Sequence, residues 1–264
     1  MKKLTKRQQQ RIDYFVREKH SRKEKNELIH NRELPKFVEK HLPLVRRLCR
    51  NIDQLLIVGS FVSPPLKPGL IDRLLVMAEI EEIDAVICLN KADLVEDATE
   101  IEEMVGVYEK IGYTVLVTSA KTGLGISALE KLVRNKKSAL AGHSGVGKSS
   151  LLNAIEPNLE IDVGDISDYS NKGTHTTTQV TKFKLDDNTE LVDLPGMKKV
   201  DFIDIHKDEA RFYFSEFNDF AEECKFNDCL HLTEHKCAVK NAVESGEIAE
   251  MRYKSYLTFV ESLG

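Results

Sequence analysis

The segment GHSGVGKS, residues 142–149, constrains the fold most, because it matches the phosphate-loop pattern G-x4-G-K-[S/T] at every position. The apolar run KSALA precedes it and the helix-like run KSSLLNAI follows it, which is the context that the pattern needs. Glycines let backbone N–H groups curl around phosphates, and the helix N-terminus adds the positive end of its dipole. We predict that Lys148 bridges the β and γ phosphates and that Ser149 offers its hydroxyl to Mg²⁺. The predicted phosphate-site residues are Gly142, His143, Ser144, Gly145, Val146, Gly147, Lys148, Ser149 and Ser150.

Two motifs downstream of this loop are placed to respond to a γ phosphate. Asp193-Leu194-Pro195-Gly196 ends an apolar run, so Asp193 is predicted to hold Mg²⁺ through water and Gly196 to donate its N–H to the γ phosphate. Between the two motifs lies a run of three threonines, of which we favour Thr177 for closing on the γ phosphate and Mg²⁺. The predicted catalytic residues are Lys148, Thr177, Asp193 and Gly196.

Two further motifs predict a site for the base, and both follow apolar runs. NKAD, residues 90–93, offers the Asp93 carboxylate, which suits the adjacent N1–H and N2 amino donors of guanine. Asn90 either reaches the O6/N7 edge of the base or ties loops together, and the stem of Lys91 is placed to cover the ring. SAK, residues 119–121, is placed to present a backbone N–H to O6. The predicted guanine-site residues are Asn90, Lys91, Ala92, Asp93, Ser119, Ala120 and Lys121.

The order of these motifs along the chain is unusual. A nucleotide-binding domain of this kind ordinarily begins with the phosphate loop, whereas here both base motifs precede it. A circular permutation explains this order, and it can leave the site unchanged where the original termini lie close together. The second switch motif then leads directly into the C-terminal segment, so we expect its movement to reach whatever that segment carries.

Apolar runs alternate with helical patterns from residue 51 onward, which predicts an α/β, doubly wound, mostly parallel sheet. Runs at 53–60, 85–90, 114–119 and 137–142 predict strands, with helices between them. TKFKLDDNTELVD predicts a hairpin that turns at Asp187-Asn188. We divide the chain into a basic N-terminal arm (1–50, helical or partly disordered), a permuted domain (51–203) and a helical C-terminal domain (204–264).

Four residues in the C-terminal domain predict a metal site. Cys224-x4-Cys229-x-His231-x5-Cys237 supplies three thiolates and an imidazole, a closed tetrahedral set that zinc favours for structural rather than catalytic use. His235 competes with His231 as the fourth ligand, and the alternative is a group of unpaired core cysteines. We interpret Cys49 and Cys88 as packing residues, because apolar residues surround both.

The N-terminal arm carries a charge opposite to that of the rest of the chain. Residues 1–50 hold sixteen Lys and Arg against six Asp and Glu, whereas the remainder holds 22 against 37. A basic arm on an acidic body indicates a polyanionic partner such as RNA, although a solvated leader is the alternative. The basic start has no apolar stretch after it and no run is long enough to span a bilayer, so we expect a cytoplasmic, monomeric protein.

Together these motifs resemble the circularly permuted ribosome-assembly GTPases called RsgA or YjeQ. The resemblance covers residues 51–264 and rests on NIDQLLIV, LNKADL, TSAKTG, GHSGVGKSSLLN, KGTHTTT, DLPGM, the Cys/His pattern and AVESGEIAEMRYKSY. It implies GTP hydrolysis stimulated by the small (30S) ribosomal subunit, a role late in the maturation of that subunit, contact with 16S rRNA, and zinc on Cys224, Cys229, His231 and Cys237. A zinc-bearing RNA-binding factor regulated by GTP, and a permuted GTPase with another ribosomal target, are the alternatives.

The chain departs from this family in two ways. Members usually begin with an RNA-binding OB-type β-barrel, whose five strands hardly fit in residues 1–50, so the basic arm is a candidate substitute. Thr174 stands where the family favours a basic residue. Met197 follows DLPG, where many GTPases carry a Gln that orients water, so we predict slow intrinsic turnover and a partner that supplies the missing group. His175 is an internal candidate for that role, although a plain loop contact is favoured.

Overall fold

Apolar runs form a six-stranded sheet in the computed structural model, which describes residues 52–81, 83–159, 161, 181–194 and 205–263. The strand order is β3-β2-β1-β4-β6-β5, and every neighbouring pair is parallel except β5 with β6. All seven residues of β1 are buried, as expected for a central strand covered on both faces. The strands are β1 Gln54–Ser60, β2 Asp84–Asn90, β3 Thr114–Val117, β4 Lys137–Ala141, β5 Thr181–Lys184 and β6 Glu190–Asp193.

Four helices connect the parallel strands, and local signals set their ends. These helices are α1 Pro68–Glu81, α2 Ala98–Lys110, α3 Ile126–Val133 and α4 Lys148–Ile155. Helix α1 begins at Pro68, which is well suited to the first helical position because its backbone has no N–H that needs a partner there. Asp97 caps α2 by accepting from the Thr99 N–H at 2.9 Å, and the helix ends at Lys110, two residues before Gly112.

The predicted hairpin is confirmed between β5 and β6. Its turn is held by Asp186, whose carboxylate accepts from the Asn188 N–H at 2.8 Å and from the Thr189 hydroxyl at 2.9 Å. An aspartate that accepts from the backbone two residues ahead is a common turn device.

Two apolar cores lie on the opposite faces of the sheet, which confirms the doubly wound prediction. Side chains alternate along a strand, so Leu55 and Ile57 of β1 join the core with α1 and α2, whereas Leu56 and Val58 join the core with α3 and α4. Cys88 is fully buried in the second core, as predicted, whereas Cys49 lies outside the described residues.

The C-terminal segment forms a third core, which reaches back to α1. It contains two 3₁₀ turns, Ala210–Tyr213 and Ser215–Phe217, and three helices. Val76 and Ile80 of α1 belong to this same apolar cluster, together with Phe214, Tyr256 and Phe259. The three helices are α5 Asn218–Ala221, α6 Ala238–Glu244 and α7 Glu250–Glu261.

The proposed domain boundaries at 50/51 and 203/204 fall in segments that lie outside the described residues, so they stay predictions. The N-terminal arm as a whole lies outside them too. None of the helices in the described ranges combines the length and the apolar character that crossing a bilayer requires.

Candidate functional site

The carboxyl ends of the parallel strands bring the predicted nucleotide motifs to one edge of the sheet. Ser60 at the end of β1 is in register with Asn90 at the end of β2, and Asp193 at the end of β6 is in register with Leu140 of β4. The chain leaves β1 toward one face of the sheet and β4 toward the other, so the loops after these two neighbours flank a topological switch point. Open α/β sheets bind ligands at such a point.

The phosphate loop lies where the Asn90 side chain and the Val58 backbone leave no room for a Cβ at two of its glycines. A Cβ on Gly147, which has φ of 95°, would lie 2.4 Å from Asn90 Nδ2. A Cβ on Gly142 would lie 2.2 Å from the Val58 carbonyl oxygen. Helix α4 begins directly after Gly147, so Lys148, Ser149 and the half-buried Ser150 form its first turn. This arrangement presents backbone amides and a helix N-terminus together, which is the requirement for binding phosphates.

Lys148 and Asp193 are two buried groups of opposite charge beside this loop, and each influences the pKa of the other. The Lys148 ammonium donates to the carbonyls of Gly142 at 3.2 Å and His143 at 3.4 Å. Burial lowers the pKa of Lys148, and the neighbouring Asp193 opposes that shift. Burial raises the pKa of Asp193 to about 6, against the effect of Lys148.

Both carboxylate oxygens of Asp193 are buried, and neither accepts a hydrogen bond from any part of the chain that the structure describes. A buried carboxylate that lacks hydrogen bonds is costly, so native proteins leave one only where something else satisfies it. A hydrated Mg²⁺ fits this requirement, because it binds one or two carboxylates and keeps several of its waters.

Asn90 joins three loops of the site. Its Nδ2 donates to the Val146 carbonyl of the phosphate loop at 2.9 Å. Its Oδ1 accepts from the Ala120 N–H at 3.3 Å and from the Thr118 hydroxyl at 3.4 Å. Of the two roles that the sequence left open for Asn90, the structure therefore has the one that ties loops together.

Lys91 adds a second connection between the base motif and the phosphate loop. Its ammonium donates to the Gly145 carbonyl at 2.8 Å and also to the Ser63 carbonyl. The backbone of Lys91 is left-handed, with φ of 62°, a conformation that costs a non-glycine residue energy and concentrates at functional sites. Lys91 is thus constrained both at its backbone and at its ammonium group.

Asp93 is exposed and is oriented by the second base motif. One of its carboxylate oxygens accepts from the Ser119 hydroxyl at 2.6 Å. Ser119 is fully buried, and its oxygen also accepts from the Thr122 N–H at 3.1 Å. The carboxylate is therefore held at the surface of the cleft, where a base with two adjacent donors can approach it.

Six residues singled out from the sequence lie outside the described residues: Thr174, His175, Thr177, Pro195, Gly196 and Met197. Their predicted roles rest on the sequence alone.

The structure also adds contacts that no motif indicated. Thr118 contacts Asn90, and Lys67, in the loop before α1, lies beside His143 of the phosphate loop. Thr118 begins the quoted segment TSAKTG but had no predicted role, whereas Lys67 carries no signal in the sequence.

The four predicted metal ligands come together in the C-terminal segment. The ligand atoms of Cys224, Cys229, His231 and Cys237 all lie within 4.8 Å of one another, and all four residues are buried. The sulfurs of Cys224 and Cys237 are 3.9 Å apart, and His231 Nδ1 lies 3.3 Å from Cys237 Sγ. A tetrahedral zinc with bonds of about 2.3 Å separates two sulfurs by roughly 3.8 Å, so the cluster has the dimensions of a zinc site.

The surroundings of the cluster favour His231 over His235. His231 is fully buried within the cluster, whereas His235 is exposed and is not part of it. Burial raises the pKa of Cys229 to about 12 and lowers the pKa of His231 to about 4, so the chain alone disfavours thiolates here. A divalent cation reverses this for the thiols and accepts a neutral imidazole nitrogen, so the donor set fits zinc.

Hydrogen bonds between side chains and backbone groups hold the segment that supplies these ligands. Arg211 donates to the Cys229 carbonyl at 2.7 Å, and the Tyr253 hydroxyl donates to the His231 carbonyl at 2.7 Å. Glu234 accepts from the N–H groups of Leu230 and Leu232, each at 2.8 Å. These bonds leave the thiols and the imidazole nitrogen Nδ1 available to a metal.

Comparison with known proteins shows which family the chain belongs to. The sequence model of the family described as RsgA GTPase matches residues 25–203, which is most of the chain. The chain belongs to the RsgA GTPase family. It is therefore a GTPase, a hydrolase, as its motifs predicted, and the guanine nucleotide with Mg²⁺ is the cofactor that this family implies.

Curated RsgA relatives from several bacteria match along most of their length. A protein of Caldanaerobacter subterraneus subsp. tengcongensis is 44% identical over 83% of this chain and 74% of its own length. A protein of Bacillus cereus is 43% identical over 83% of this chain and 75% of its own length. Both are named small ribosomal subunit biogenesis GTPase RsgA.

Two solved structures of RsgA-like proteins share the architecture. YjeQ from Thermotoga maritima superposes with a TM-score of 0.67 and is 40% identical, with 81% of this chain and 72% of that one covered. YloQ, described as a circularly permuted GTPase, has a TM-score of 0.63 and 36% identity over 80% of this chain and 68% of that one. The permuted motif order and the α/β fold predicted from the sequence are thus confirmed.

Proposed function

We propose that this RsgA family member binds GTP and GDP with Mg²⁺ at the carboxyl edge of its sheet and hydrolyses GTP during late maturation of the small ribosomal subunit. We further propose that the subunit stimulates this hydrolysis. The observation that supports the site most strongly is the set of three hydrogen bonds through which Asn90 connects both base motifs to the phosphate loop. In a site connected in this way, the loops that bind the base and the loop that binds the phosphates are held together.

At the base end, Asp93 accepts the two adjacent donors of guanine, and Ser119 holds the carboxylate in position. Adenine offers no such pair of donors, so the carboxylate supplies the discrimination. Ala120 and Lys121 stand at the exit of the neighbouring loop, where a backbone N–H can meet the O6 acceptor. Lys91 covers the ring with its stem while its ammonium stays on the phosphate loop.

At the phosphate end, Lys148 leaves its two carbonyl partners and donates to the β and γ phosphates. Ser149 and Asp193 would hold the Mg²⁺, which when bound would neutralise charge that develops on the phosphate oxygens during transfer. Thr177 and Gly196 are the sequence-based candidates for sensing the γ phosphate. A Met at position 197 leaves the attacking water without an orienting amide, which supports slow turnover in the absence of a partner.

In the C-terminal segment, we propose that Cys224, Cys229, His231 and Cys237 bind one structural zinc. The four donors leave no open position, so the metal does not take part in hydrolysis. Its effect is to hold the turns between Cys224 and Cys237 against the apolar core of the C-terminal segment.

The names of the RsgA relatives support the small subunit as the partner. The basic N-terminal arm supports contact with 16S rRNA, because sixteen cationic residues against six anionic ones attract a phosphate backbone. A factor that acts on ribosomal subunits works in the cytoplasm, and we expect it to act there as a monomer.

Co-sedimentation tests the proposed partner. The full chain is centrifuged through sucrose with separated small or large subunits, in the presence of GDP or a non-hydrolysable GTP analogue. We expect the protein to pellet with small subunits and to do so more with the analogue. Pelleting with large subunits only would support the alternative ribosomal target, and pelleting that ignores the nucleotide would support an RNA-binding factor that does not use GTP as a switch.

A further inference from the structure

A lysine outside the nucleotide motifs contacts the side chain of a phosphate-loop residue. The ammonium of Lys67 lies 2.8 Å from Nε2 of His143, although 76 positions separate the two residues. Lys67 belongs to the loop after β1, and His143 belongs to the loop after β4. Their hydrogen bond therefore spans the switch point of the sheet, where the nucleotide is proposed to bind.

This contact defines the tautomer of His143. A lysine ammonium is a donor without acceptor capacity, so Nε2 of His143 must accept and the ring proton must lie on Nδ1. Nδ1 in turn lies 2.8 Å from the Ser144 carbonyl oxygen, to which it then donates. Both ring nitrogens of His143 are thus used, and the Ser144 carbonyl is directed toward the imidazole.

The direction of that carbonyl determines the direction of the next amide. In a planar trans peptide, the C=O of Ser144 and the N–H of Gly145 point to opposite sides. The Gly145 N–H is therefore directed away from the His143 ring. Backbone amides of this loop are the groups that surround phosphates, so the orientation of one of them bears on affinity.

The loop that supplies Lys67 is itself fixed in place. The Lys67 carbonyl accepts from the N–H groups of Leu70 and Ile71 in the first turn of α1, at 3.0 and 3.3 Å. Ser63 of the same loop accepts from the Lys91 ammonium, which also donates to the Gly145 carbonyl. Lys67 thus approaches His143 from a backbone that is anchored to α1 and to the base motif.

We propose that Lys67 is a positioning residue for nucleotide binding, which acts through His143 and the Ser144 carbonyl to orient the Gly145 amide toward the phosphates. The proposal rests on the nucleotide site proposed above and adds a residue from outside its motifs. Lys67 acts by fixing the imidazole rather than by attracting the nucleotide itself. Its effect therefore depends on His143 being present.

A double-mutant cycle in the full chain tests this dependence. Affinity for the fluorescent nucleotide mant-GDP is measured with Mg²⁺ present for the wild type, Lys67→Ala, His143→Ala and the double variant. We expect each single substitution to raise Kd about threefold to tenfold, the range expected for one hydrogen bond, and the double to raise it no further. Lys67→Arg keeps a donor and is expected to restore most of the affinity, whereas Lys131→Ala, at an exposed position of α3, is the matched control that leaves Kd unchanged.

Three results would overturn the proposal. A wild-type Kd in Lys67→Ala would mean that the contact does not position the loop. Effects that multiply in the double variant would mean that Lys67 attracts phosphate directly. If the variants that bind more weakly also had a correspondingly lower unfolding temperature without nucleotide, the contact would be only structural. A wild-type protein that fails to bind mant-GDP would instead overturn the proposed function, and this inference with it.

Discussion

Arg252 donates to the Asp72 carboxylate across 2.6 Å, and both side chains are 1% exposed, although 180 positions separate them. Arg252 also forms two hydrogen bonds with Glu216, at 2.7 and 3.1 Å, and lies over the Phe214 ring. The Tyr108 hydroxyl of α2 donates to the same Asp72 oxygen at 3.0 Å. One buried guanidinium thus joins the helix that follows β1 to the segment that carries the cysteine cluster.

Removing this guanidinium should destabilise the whole protein. Arg252→Met leaves two buried carboxylates without their cation, so we expect a loss of about 3–5 kcal/mol in the free energy of unfolding, measured in urea. Arg134→Met is the matched control, because Arg134 pairs with Glu130 in an exposed i,i+4 ion pair worth about 0.3–0.5 kcal/mol. A loss of less than about 1 kcal/mol for Arg252→Met would contradict the role assigned to the network.

The Asp93 carboxylate should determine base specificity, whereas Asn90 should not. We expect Asp93→Asn to reduce the preference for mant-GDP over mant-ADP by about tenfold to a hundredfold, since hydrogen bonds to a charged group are lost. Asn90→Ala should weaken both nucleotides alike, because Asn90 contacts loops. An intact guanine preference in Asp93→Asn would refute the proposed base site.

Asp193 should destabilise the nucleotide-free protein at neutral pH. Burial raises its pKa to about 6 from a usual value of 3.8, so the folded chain binds more protons than the unfolded chain between these values. Stability of the nucleotide-free protein therefore falls as pH rises from about 4 to about 6 through this group. Asp193→Asn should raise the free energy of unfolding at pH 7 by about 1–3 kcal/mol, since one pKa unit corresponds to about 1.4 kcal/mol.

The same substitution should weaken Mg²⁺-dependent binding of mant-GDP. Asp187→Asn is the control, because Asp187 forms an exposed ion pair with Lys184 and should change neither property. If the free energy of unfolding of Asp193→Asn at pH 7 without nucleotide were lower than that of the wild type, burial of the Asp193 carboxylate would not destabilise the protein.

Two histidines four positions apart allow a sharp test of the metal site. We expect one zinc per chain in the purified protein, measured by inductively coupled plasma mass spectrometry. His231→Ala should lose most of it because His231 lies in the cluster, whereas His235→Ala should retain it because His235 is exposed. Equal zinc content in the two variants, or zinc lost only from His235→Ala, would contradict the ligand set.

Short-range patterns in the sequence predicted most of the fold and most of the site. Strands such as LLIV and helices such as ISALEKLV are visible because burial imposes a local period, and the phosphate loop is visible because glycine spacing is chemically required. The sequence left His231 and His235 as competing ligands, since spacing alone does not show burial.

Long-range contacts could not be predicted in the same way. Nothing near Lys67 points to His143, and nothing near Asp72 points to Arg252, because these pairs depend on how distant elements pack. The role of Asn90 stayed open for the same reason: whether an amide contacts a base or a neighbouring loop depends on where the phosphate loop lies.

The most direct test of the account is the rate of GTP hydrolysis by the full chain alone, with small ribosomal subunits and with large ones. We predict slow phosphate release alone, an increase of about tenfold or more with small subunits, and little change with large subunits, since an activating partner can supply the group that orients water. Asp193→Asn should show no such increase. A rate that is already fast alone and unchanged by small subunits would contradict a GTPase that the small subunit activates.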